Sequence, residues 1–466
     1  MRFTTPAFAL AVGAILLLYY WPPLRRVQVE LLVLASLGFY AVGQGAALVG
    51  LLIASWALTA GTAWQVAHRA GVAERRAWAV AGVGINLSVL AAFKYGALIA
   101  ATLGISAAVS TPSAFLLALP LPVGISFYTF HGVSLLVDVW RRDYVPPARA
   151  AQHARGSLLY LVFFPQLIAG PIARARRFLP QVAEKRLRDV RWRAATRALI
   201  AGYFLKLCVA DHLRLFTAPL DAPSTLQLPA ANLAGLLVGF SAQIFADFAG
   251  YSLIAVGLAA LFGYVLPRNF DRPYAAASLR DFWRRWHRSL SFFLRDYLYR
   301  PLGGSRHGAW RTARNILVVM ILGGLWHGAS WGFALWGLWH GVALLLERGL
   351  AHVVPTRVRV GARAVRPLLV FTVVTVGWIF FRFTTLARLT AFAATFRAGM
   401  GEMAMVLPLV MLVFWTLPVL LLHVLPSVFR RFHWRAPQLA LALDGLMLAL
   451  IALDAAPPAP FIYFQF

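Results

Sequence analysis

The sequence is poor in cysteine, lysine and acidic residues. One cysteine among 466 residues, Cys208, excludes a disulfide or a cysteine-based metal site within a single chain. It lies in the apolar run GYFLKLCVA, where a thiol usually serves as a small packing group. Lysine occurs only at positions 94, 185 and 206, and 16 acidic residues face 44 basic ones, which gives a formal net charge of +28.

Motifs of several common enzyme classes are also missing. The chain has no glycine-rich phosphate loop and no HExxH zinc motif. His131, His153 and His212 are too scattered to indicate a metal site. We therefore expect neither a metal ion nor a tightly bound cofactor.

The basic excess is nearly all arginine, and in a soluble chain it would suggest a nucleic-acid partner. Here arginine accompanies abundant alanine, as the codon bias of a GC-rich genome produces. The arginines also lie between apolar runs, where the positive-inside rule places them. We predict contact with membrane lipid and no nucleic-acid partner.

Long apolar runs dominate the chain, which is 61% hydrophobic with a mean hydropathy of +0.72. The sequence predicts an all-α polytopic membrane protein with about 11–12 spans, because a run of roughly 20 residues crosses a bilayer. We expect one membrane domain, 1–466, with N-terminal spans (1–156), a core (157–348) and C-terminal spans (349–466). The predicted spans are 7–21, 27–42, 46–64, 79–102, 114–140, 196–216, 232–262, 367–383, 407–425 and 438–454, and 316–347 could form two more.

The distribution of basic loops predicts the orientation. If every basic loop is cytoplasmic, both termini are periplasmic and the chain crosses about 12 times. The loop 384–406 does not fit, because it carries Arg388 and Arg397 on the outer side. Residues 7–21 are interpreted as an uncleaved first span, since no small-x-small cleavage site separates this apolar run from Arg25 and Arg26.

Two segments differ from ordinary spans. LYLVFFPQLIAGPIARARRF (159–178) has prolines and glycine inside an apolar run, which favours a re-entrant or surface-lying element. SLRDFWRRWHRSLSFFLRDYLYRPLGG (278–304) has apolar residues at helical spacing on one face and arginines on the other. It predicts an amphipathic helix over 279–300 at the cytoplasmic interface, with His287 at the boundary between the faces.

Two histidines and a carboxylate fall in apolar surroundings. LGGLWHGASWGFALWGLWHG (322–341) contains His327 and His340 among glycines and tryptophans. A buried neutral imidazole can act as a general base, but it can equally be a packing residue bonded to a backbone carbonyl. For His340 and for Asp247 the structural role is favoured, and Asp247 needs a buried partner.

Several long motifs occur in a specific order along nearly the whole chain. They are FFPQLIAGPI (163–172), QIFADFAGYS (243–252), NFDRPYAAASLRDFWRRWHRSLSFFLRDYLYRPLGG (269–304), GGLWHGASWGFALWGLWHG (323–341) and FIYFQF (461–466). In these motifs the chain resembles the membrane-bound O-acyltransferase family, and most closely its bacterial alginate and exopolysaccharide branch. One departure is Leu253, where that branch commonly has an acidic residue.

The resemblance implies a ring of helices around a central tunnel, with His327 and His287 as catalytic residues. It also implies substrate-binding roles for Trp326, Trp331, Asp281 and Asn269, the two tryptophans walling the tunnel. The donor would be a cytoplasmic acyl thioester, such as acetyl coenzyme A or an acyl carrier protein. The arginine-rich segment 279–300 would attract this anionic donor.

The resulting hypothesis is an inner-membrane acyltransferase that moves acetyl groups toward an exopolysaccharide, with a periplasmic acetyltransferase as partner. His327 would be the general base, and His287 would position the donor or assist proton transfer. One alternative is a D-alanyl transferase of the same fold. Another is a non-catalytic scaffold for polysaccharide export or assembly.

Overall fold

The computed structural model describes residues 3–103, 120–221, 228–353, 365–398, 406–431, 437–457 and 459–462. Every regular element within these ranges is helical. The contacts divide the chain into two compact units. The first comprises 1–199 and 252–267, and the second comprises 200–251 and 268–466.

The first unit contains the N-terminal helices. They are α1 (Pro6–Tyr20), α2 (Gln28–Gln44), α3 (Ala46–His68), α4 (Val72–Thr102), α5 (Ile125–Trp140), α6 (Ala150–Val162), α7 (Phe164–Leu167), α8 (Ala175–Phe178) and most of α9 (Trp192–Tyr203). Aromatic rings form much of its core, because bulky flat side chains bury a large apolar area. Phe163, Phe178 and Tyr264 pack with ring centroids 5.1–5.4 Å apart.

The second unit continues α9 through a π-helical segment (Phe204–Ala210) and contains the motif-bearing helices. They are α10 (Asp211–Thr217), α11 (Ala230–Leu261, whose last residues belong to the first unit), α12 (Leu279–Arg285), α13 (Arg288–Leu294), α14 (Gly308–His327), α15 (Trp331–Val353), α16 (Arg366–Arg382), α17 (Leu386–Ala398), α18 (Val406–Arg431) and α19 (Pro437–Leu453).

Among the described residues, four helical stretches are long and apolar enough to cross a membrane: Pro22–Gln44, Ala46–His68, Val72–Thr102 and Ala230–Leu261. Several helices have exposed apolar side chains, among them Leu17, Leu34 and Leu441. Such exposure is costly in water and is expected where a helix faces lipid. The prediction of an all-α polytopic membrane protein is confirmed. Residues 114–119 of the predicted span 114–140 lie outside the described residues.

The motif at 159–178 is confirmed as something other than a spanning helix. The helix α6 ends at Val162, and only short helical turns follow within the segment. Its backbone is buried and bonded to protein: the Phe164 amide donates to Ser36 Oγ at 3.1 Å, and Tyr160 OH donates to the Ala173 carbonyl at 2.8 Å. Irregular backbone at this depth is stable because protein groups satisfy it.

The prediction of one continuous helix over 279–300 is wrong. Two short helices, α12 and α13, are separated at Trp286–His287, and a π-helical segment covers Arg295–Tyr299. His287 adopts the left-handed conformation, with φ 38° and ψ 54°. This backbone cannot continue an α-helix, so the apolar periodicity runs through a sharp turn.

The stretch 316–347 forms two helices, as its length predicts. The helix α14 ends at His327 and α15 begins at Trp331, so the turn is made by Gly328–Ser330. Glycines bring the two helices close: a Cβ at Gly324 would collide with the Phe333 carbonyl, and one at Gly337 with the Met320 carbonyl. The glycines therefore allow the end of α14, which carries His327, to pack closely against the start of α15.

Candidate active site

His327 is the last residue of α14 and is buried within a shell of aromatic rings. Its ring centroid lies 5.0 Å from Trp326, 5.1 Å from Trp336 and 5.4 Å from Phe381, each at a steep angle. Rings that meet edge to face pack efficiently and leave little space for water. The environment of His327 is therefore buried and largely aromatic.

His287 lies beside His327, although 40 residues separate them in the sequence. The two imidazole centroids are 6.3 Å apart, and Trp326 contacts both rings, at 5.7 Å from His287. The edge of Phe248 meets His287 at 4.6 Å. Burial lowers the pKa of His287 to about 3, so its ring is neutral near pH 7. Neither ring nitrogen has a hydrogen-bond partner among the described residues.

Asn269 holds the turn that carries His287. Its backbone carbonyl accepts from the Arg288 amide at 2.9 Å, and its side-chain oxygen accepts from the Ser289 amide at 3.4 Å. The nearby Asp271 amide donates to the Arg285 carbonyl at 3.0 Å. These bonds satisfy groups at the ends of α12 and α13 that an unbroken helix would use internally. In the structure Asn269 thus supports the His287 backbone from the side.

The other residues predicted to bind substrate lie in different surroundings. Trp326 is buried between the two histidines. Trp331 is 58% exposed, and the ring that faces His327 from the same helix is Trp336. Asp281 sits in the first turn of α12 and forms an ion pair with Arg285 at 2.9 Å. The structure brings Trp326 to the histidine pair, but it places Trp331 and Asp281 in exposed or ion-paired positions.

Three aromatic residues of this shell were not predicted from the sequence: Phe248, Trp336 and Phe381. Phe248 and Trp336 belong to recognisable motifs, QIFADFAGYS and the 322–341 stretch, so the motifs could have drawn attention to them. Phe381 lies in an ordinary apolar helix, α16, and nothing in its sequence context distinguishes it. Only the fold brings it to His327.

His340 is fully buried one layer further from His327. Its ring centroid lies 5.1 Å from Trp336 and 5.1 Å from Trp283, with Phe282 stacked at 6.3 Å. Its ring nitrogens find no hydrogen-bond partner within the part of the chain that the structure describes. Trp336 therefore separates two imidazoles, one on each side.

An arginine-lined cavity of about 760 Å³ opens beside this layer. Its lining includes Arg280, Arg284, Arg295, Arg348 and Arg366, together with apolar side chains such as Phe292, Ile316, Val319 and Leu344. Trp283 forms part of the wall and contacts Trp336 at 5.7 Å, and Trp336 contacts His327. Two indole rings thus connect the cavity wall to the candidate base.

Asp247 has the buried partner that its apolar surroundings require. Lys206 Nζ lies 2.8 Å from Asp247 Oδ1 and 2.7 Å from Asp211 Oδ1. The prediction of a partner is confirmed. Leu253, the departure from the usual motif, is half-buried further along α11.

Comparison with known proteins identifies the family and its reaction class. Residues 156–390 match the model of MBOAT, the membrane-bound O-acyltransferase family. This protein belongs to that family. The match contains both histidines and the arginine-lined cavity, so the chain is a multi-pass membrane O-acyltransferase. The helical ring and central tunnel that the resemblance implies stay a prediction.

The chain is also similar to individual acyltransferases. It is 36% identical over 388 residues to the probable alginate O-acetylase AlgI of Azotobacter vinelandii, covering 78% of this chain and 71% of the relative. It is 32% identical over 375 residues to the peptidoglycan O-acetyltransferase of Helicobacter pylori, covering 75% and 70%. A teichoic acid D-alanyltransferase of Streptococcus thermophilus is 30% identical over 239 residues, covering 48% and 56%.

Proposed function

We propose that the enzyme takes an acetyl group from a cytoplasmic thioester and passes it across the bacterial inner membrane for O-acetylation of an alginate-like exopolysaccharide. The observation that carries the proposal is the pairing of His327 and His287 around Trp326 in a buried aromatic shell. The two O-acetylating relatives favour acetyl as the group transferred and a polysaccharide as its destination.

His327 acts as the general base in this proposal. A neutral imidazole accepts the proton of the acceptor hydroxyl while that oxygen attacks the thioester carbonyl. The carbon–sulfur bond then breaks, and the imidazolium returns its proton to the departing thiolate. The rings of Trp326, Trp336 and Phe381 exclude water, which would otherwise hydrolyse the thioester. His287 orients the donor or assists this proton transfer.

The arginine-lined cavity is the proposed entrance for the donor. All five of its arginines come from loops or loop-flanking segments that the positive-inside rule places in the cytoplasm. Coenzyme A and acidic carrier proteins are anionic, so a basic entrance raises their local concentration. The apolar part of the lining suits the chain that carries the thioester.

Contacts in the second unit bear on the one loop that did not fit the proposed orientation. Arg388 did not fit the positive-inside pattern, because it falls in a predicted outer loop. Its guanidinium donates to the Asp221 carbonyl at 2.8 Å, and Arg382 pairs with the Asp221 carboxylate. Asp221 belongs to the charge-poor loop 217–230, which is also predicted to be outside. Contact between the two loops is expected if both lie on one face of the membrane, as the proposed orientation requires.

The acceptor side of the reaction is proposed to involve a periplasmic acetyltransferase that completes transfer to the polysaccharide. Cells that lack the native gene provide the test, because the acetyl content of the secreted polysaccharide reports the whole pathway. His327→Ala should abolish acetylation while the protein still reaches the membrane. His423→Ala is the matched control, because His423 is a buried histidine of the same unit that contacts Phe245 and Tyr274 instead. Normal acetylation with His327→Ala would refute the assignment.

A D-alanyl transferase is the second candidate, favoured by the similarity to the teichoic acid enzyme. Mass analysis of the modified polymer separates the two, because alanyl and acetyl groups differ in mass and only the alanyl group carries an amine. A non-catalytic scaffold gives a third pattern. Polymer export then fails when the gene is absent, and a copy of the gene that carries His327→Ala restores both full export and normal acetylation.

A further inference from the structure

A buried ionic cluster lies on the helices that surround the candidate site. Lys206 Nζ bridges Asp211 Oδ1 at 2.7 Å and Asp247 Oδ1 at 2.8 Å, and the three side chains are 2–5% exposed. With one cation and two anions the cluster carries a formal charge of −1. Charges buried to this degree are stable only when further hydrogen bonds satisfy their remaining oxygens.

The C-terminal tail supplies those hydrogen bonds. The Ile462 amide donates to Asp247 Oδ2 at 2.6 Å, and the Ala459 amide donates to Asp211 Oδ2 at 3.3 Å. A third bond runs from the Ala456 amide to the Leu207 carbonyl at 3.2 Å. The tail follows α19 as DAAPPAPFI and is too rich in proline to form a helix of its own. Its amides therefore find their partners on this cluster.

Between the tail amides, Phe461 packs into the core of the second unit. Its ring stacks on Tyr251 with centroids 4.5 Å apart and an interplanar angle of 21°, and it contacts Phe248 at 5.7 Å. Asp247, Phe248 and Tyr251 share about one turn of α11. The same turn of α11 thus carries the carboxylate that binds the tail and the two rings that contact Phe461.

Phe248 links this tail to His287. The Phe248 and His287 ring centroids lie 4.6 Å apart at a steep interplanar angle, closer than those of Trp326 and His287 at 5.7 Å. His287 forms no ring hydrogen bond with the described residues, and its backbone is left-handed. Packing is therefore what fixes the direction of its ring. A group that holds Phe248 in place also holds His287.

We propose that the Lys206–Asp211–Asp247 cluster clamps the C-terminal tail so that Phe461 presses Phe248 against His287. Phe461 is then a positioning residue for the candidate active site, and it acts on His287 through Phe248. The catalytic meaning of this inference rests on the proposed function, whereas the packing that it describes can be measured without turnover.

Cysteine labelling measures that packing. His287→Cys is introduced into a Cys208→Ala chain, and its reaction with N-ethylmaleimide is followed in the purified full-length protein. Adding Phe461→Ala should raise the labelling rate by about fivefold or more, because an aromatic contact of this kind contributes roughly 1 kcal/mol.

Phe392→Ala is the control, because Phe392 is 4% exposed against 3% for Phe461 and packs on Phe383 and Phe396 instead. Its labelling rate should stay within twofold of the parent. Equal rates with and without Phe461→Ala, or an equal rise with Phe392→Ala, would overturn the proposal.

Removal of a single tail hydrogen bond tests the clamp. Ile462→Pro deletes the amide that donates to Asp247, whereas Ile462→Val keeps it. In cells, Ile462→Pro should lower polysaccharide acetylation at least fivefold at equal membrane abundance, and Ile462→Val should stay within twofold of wild type. Full acetylation with Ile462→Pro contradicts the clamp even if His327 is essential. Full acetylation with His327→Ala contradicts the proposed function instead and leaves the labelling result to decide the packing.

Discussion

Replacement of Lys206 by methionine should destabilise the second unit more than any neutralising change to its partners. In the wild type, Lys206 Nζ lies 2.7 and 2.8 Å from the oxygens of Asp211 and Asp247. Lys206→Met leaves two buried carboxylates with no cation and doubles the formal charge of the cluster from −1 to −2. Breaking a buried pair in this way costs on the order of 3–5 kcal/mol. Asp211→Asn removes one negative charge, leaves Lys206 paired with Asp247 and should cost less.

Cys208 provides the assay, because it is the only cysteine, is buried, and lies two residues from Lys206. A dye that fluoresces on reaction with thiols reports its exposure on heating. The expected loss for Lys206→Met lowers the unfolding midpoint by roughly 6–20 °C, at about 2–4 °C per kcal/mol for a unit of this size.

The triple variant Lys206→Met, Asp211→Asn, Asp247→Asn is uncharged at the cluster and should recover much of that loss. An unchanged midpoint for Lys206→Met would refute the electrostatic reasoning. A triple variant less stable than Lys206→Met alone would do the same.

Three other predictions follow from the site. His287 has a pKa lowered to about 3 against 6.5 in an unfolded chain, so it lowers the free energy of unfolding only below pH 6.5. At pH 5 this loss of unfolding free energy is about 2 kcal/mol. His287→Gln removes the titrating group, so the unfolding midpoint should fall less steeply with decreasing pH below 6.5, by the equivalent of that loss. Gly324→Ala should cost about 1–3 kcal/mol in thermal unfolding, because its Cβ meets a carbonyl, whereas the Cβ of Gly349→Ala meets open space within a helix and should leave stability unchanged or raise it by up to about 1 kcal/mol. Arg348→Glu in the cavity should reduce acetylation about tenfold and Arg397→Glu on the opposite proposed face should not, which comparison of polymer acetyl content checks.

The two histidines could be recognised from motifs, but the backbone that brings them together could not. Apolar periodicity continues through His287, so local pattern predicts an unbroken helix. The break depends on Asn269 and Asp271, which bond to the ends of α12 and α13 from a separate segment. Such bonds are made between distant parts of the chain, and no pattern within 279–300 contains them.

The aromatic shell shows a second limit of sequence reasoning. Trp331 lies four residues after His327 and would share its face if the helix continued. The helix instead ends at His327, and Trp331 begins the next one with its side chain mostly exposed. Trp336 lies about one and a half helical turns after Trp331, and its ring is the one that contacts His327. A turn of three residues thus changes which tryptophan lines the site.

Asp247 illustrates what burial alone can predict. A carboxylate in an apolar run must have a partner, since an unpaired buried charge is unstable. Which residue it binds depends on the packing of α11 against the π-helical segment that presents Lys206, and which amides complete it depends on the tail. The need for a partner was readable in one motif, whereas its identity required the whole unit.

Two groups of basic residues in the second unit lie in environments with different physical consequences. Arginines gather at the cavity, where Arg280, Arg284 and Arg348 remain near water and can attract an anion without loss of a hydration shell. In the core, the single ammonium of Lys206 is enclosed by two carboxylates and is compensated locally. A guanidinium there would need more space and more acceptors than two oxygens provide. The cavity arginines therefore serve the proposed donor face, and the buried charge serves the architecture of the tail and of His287.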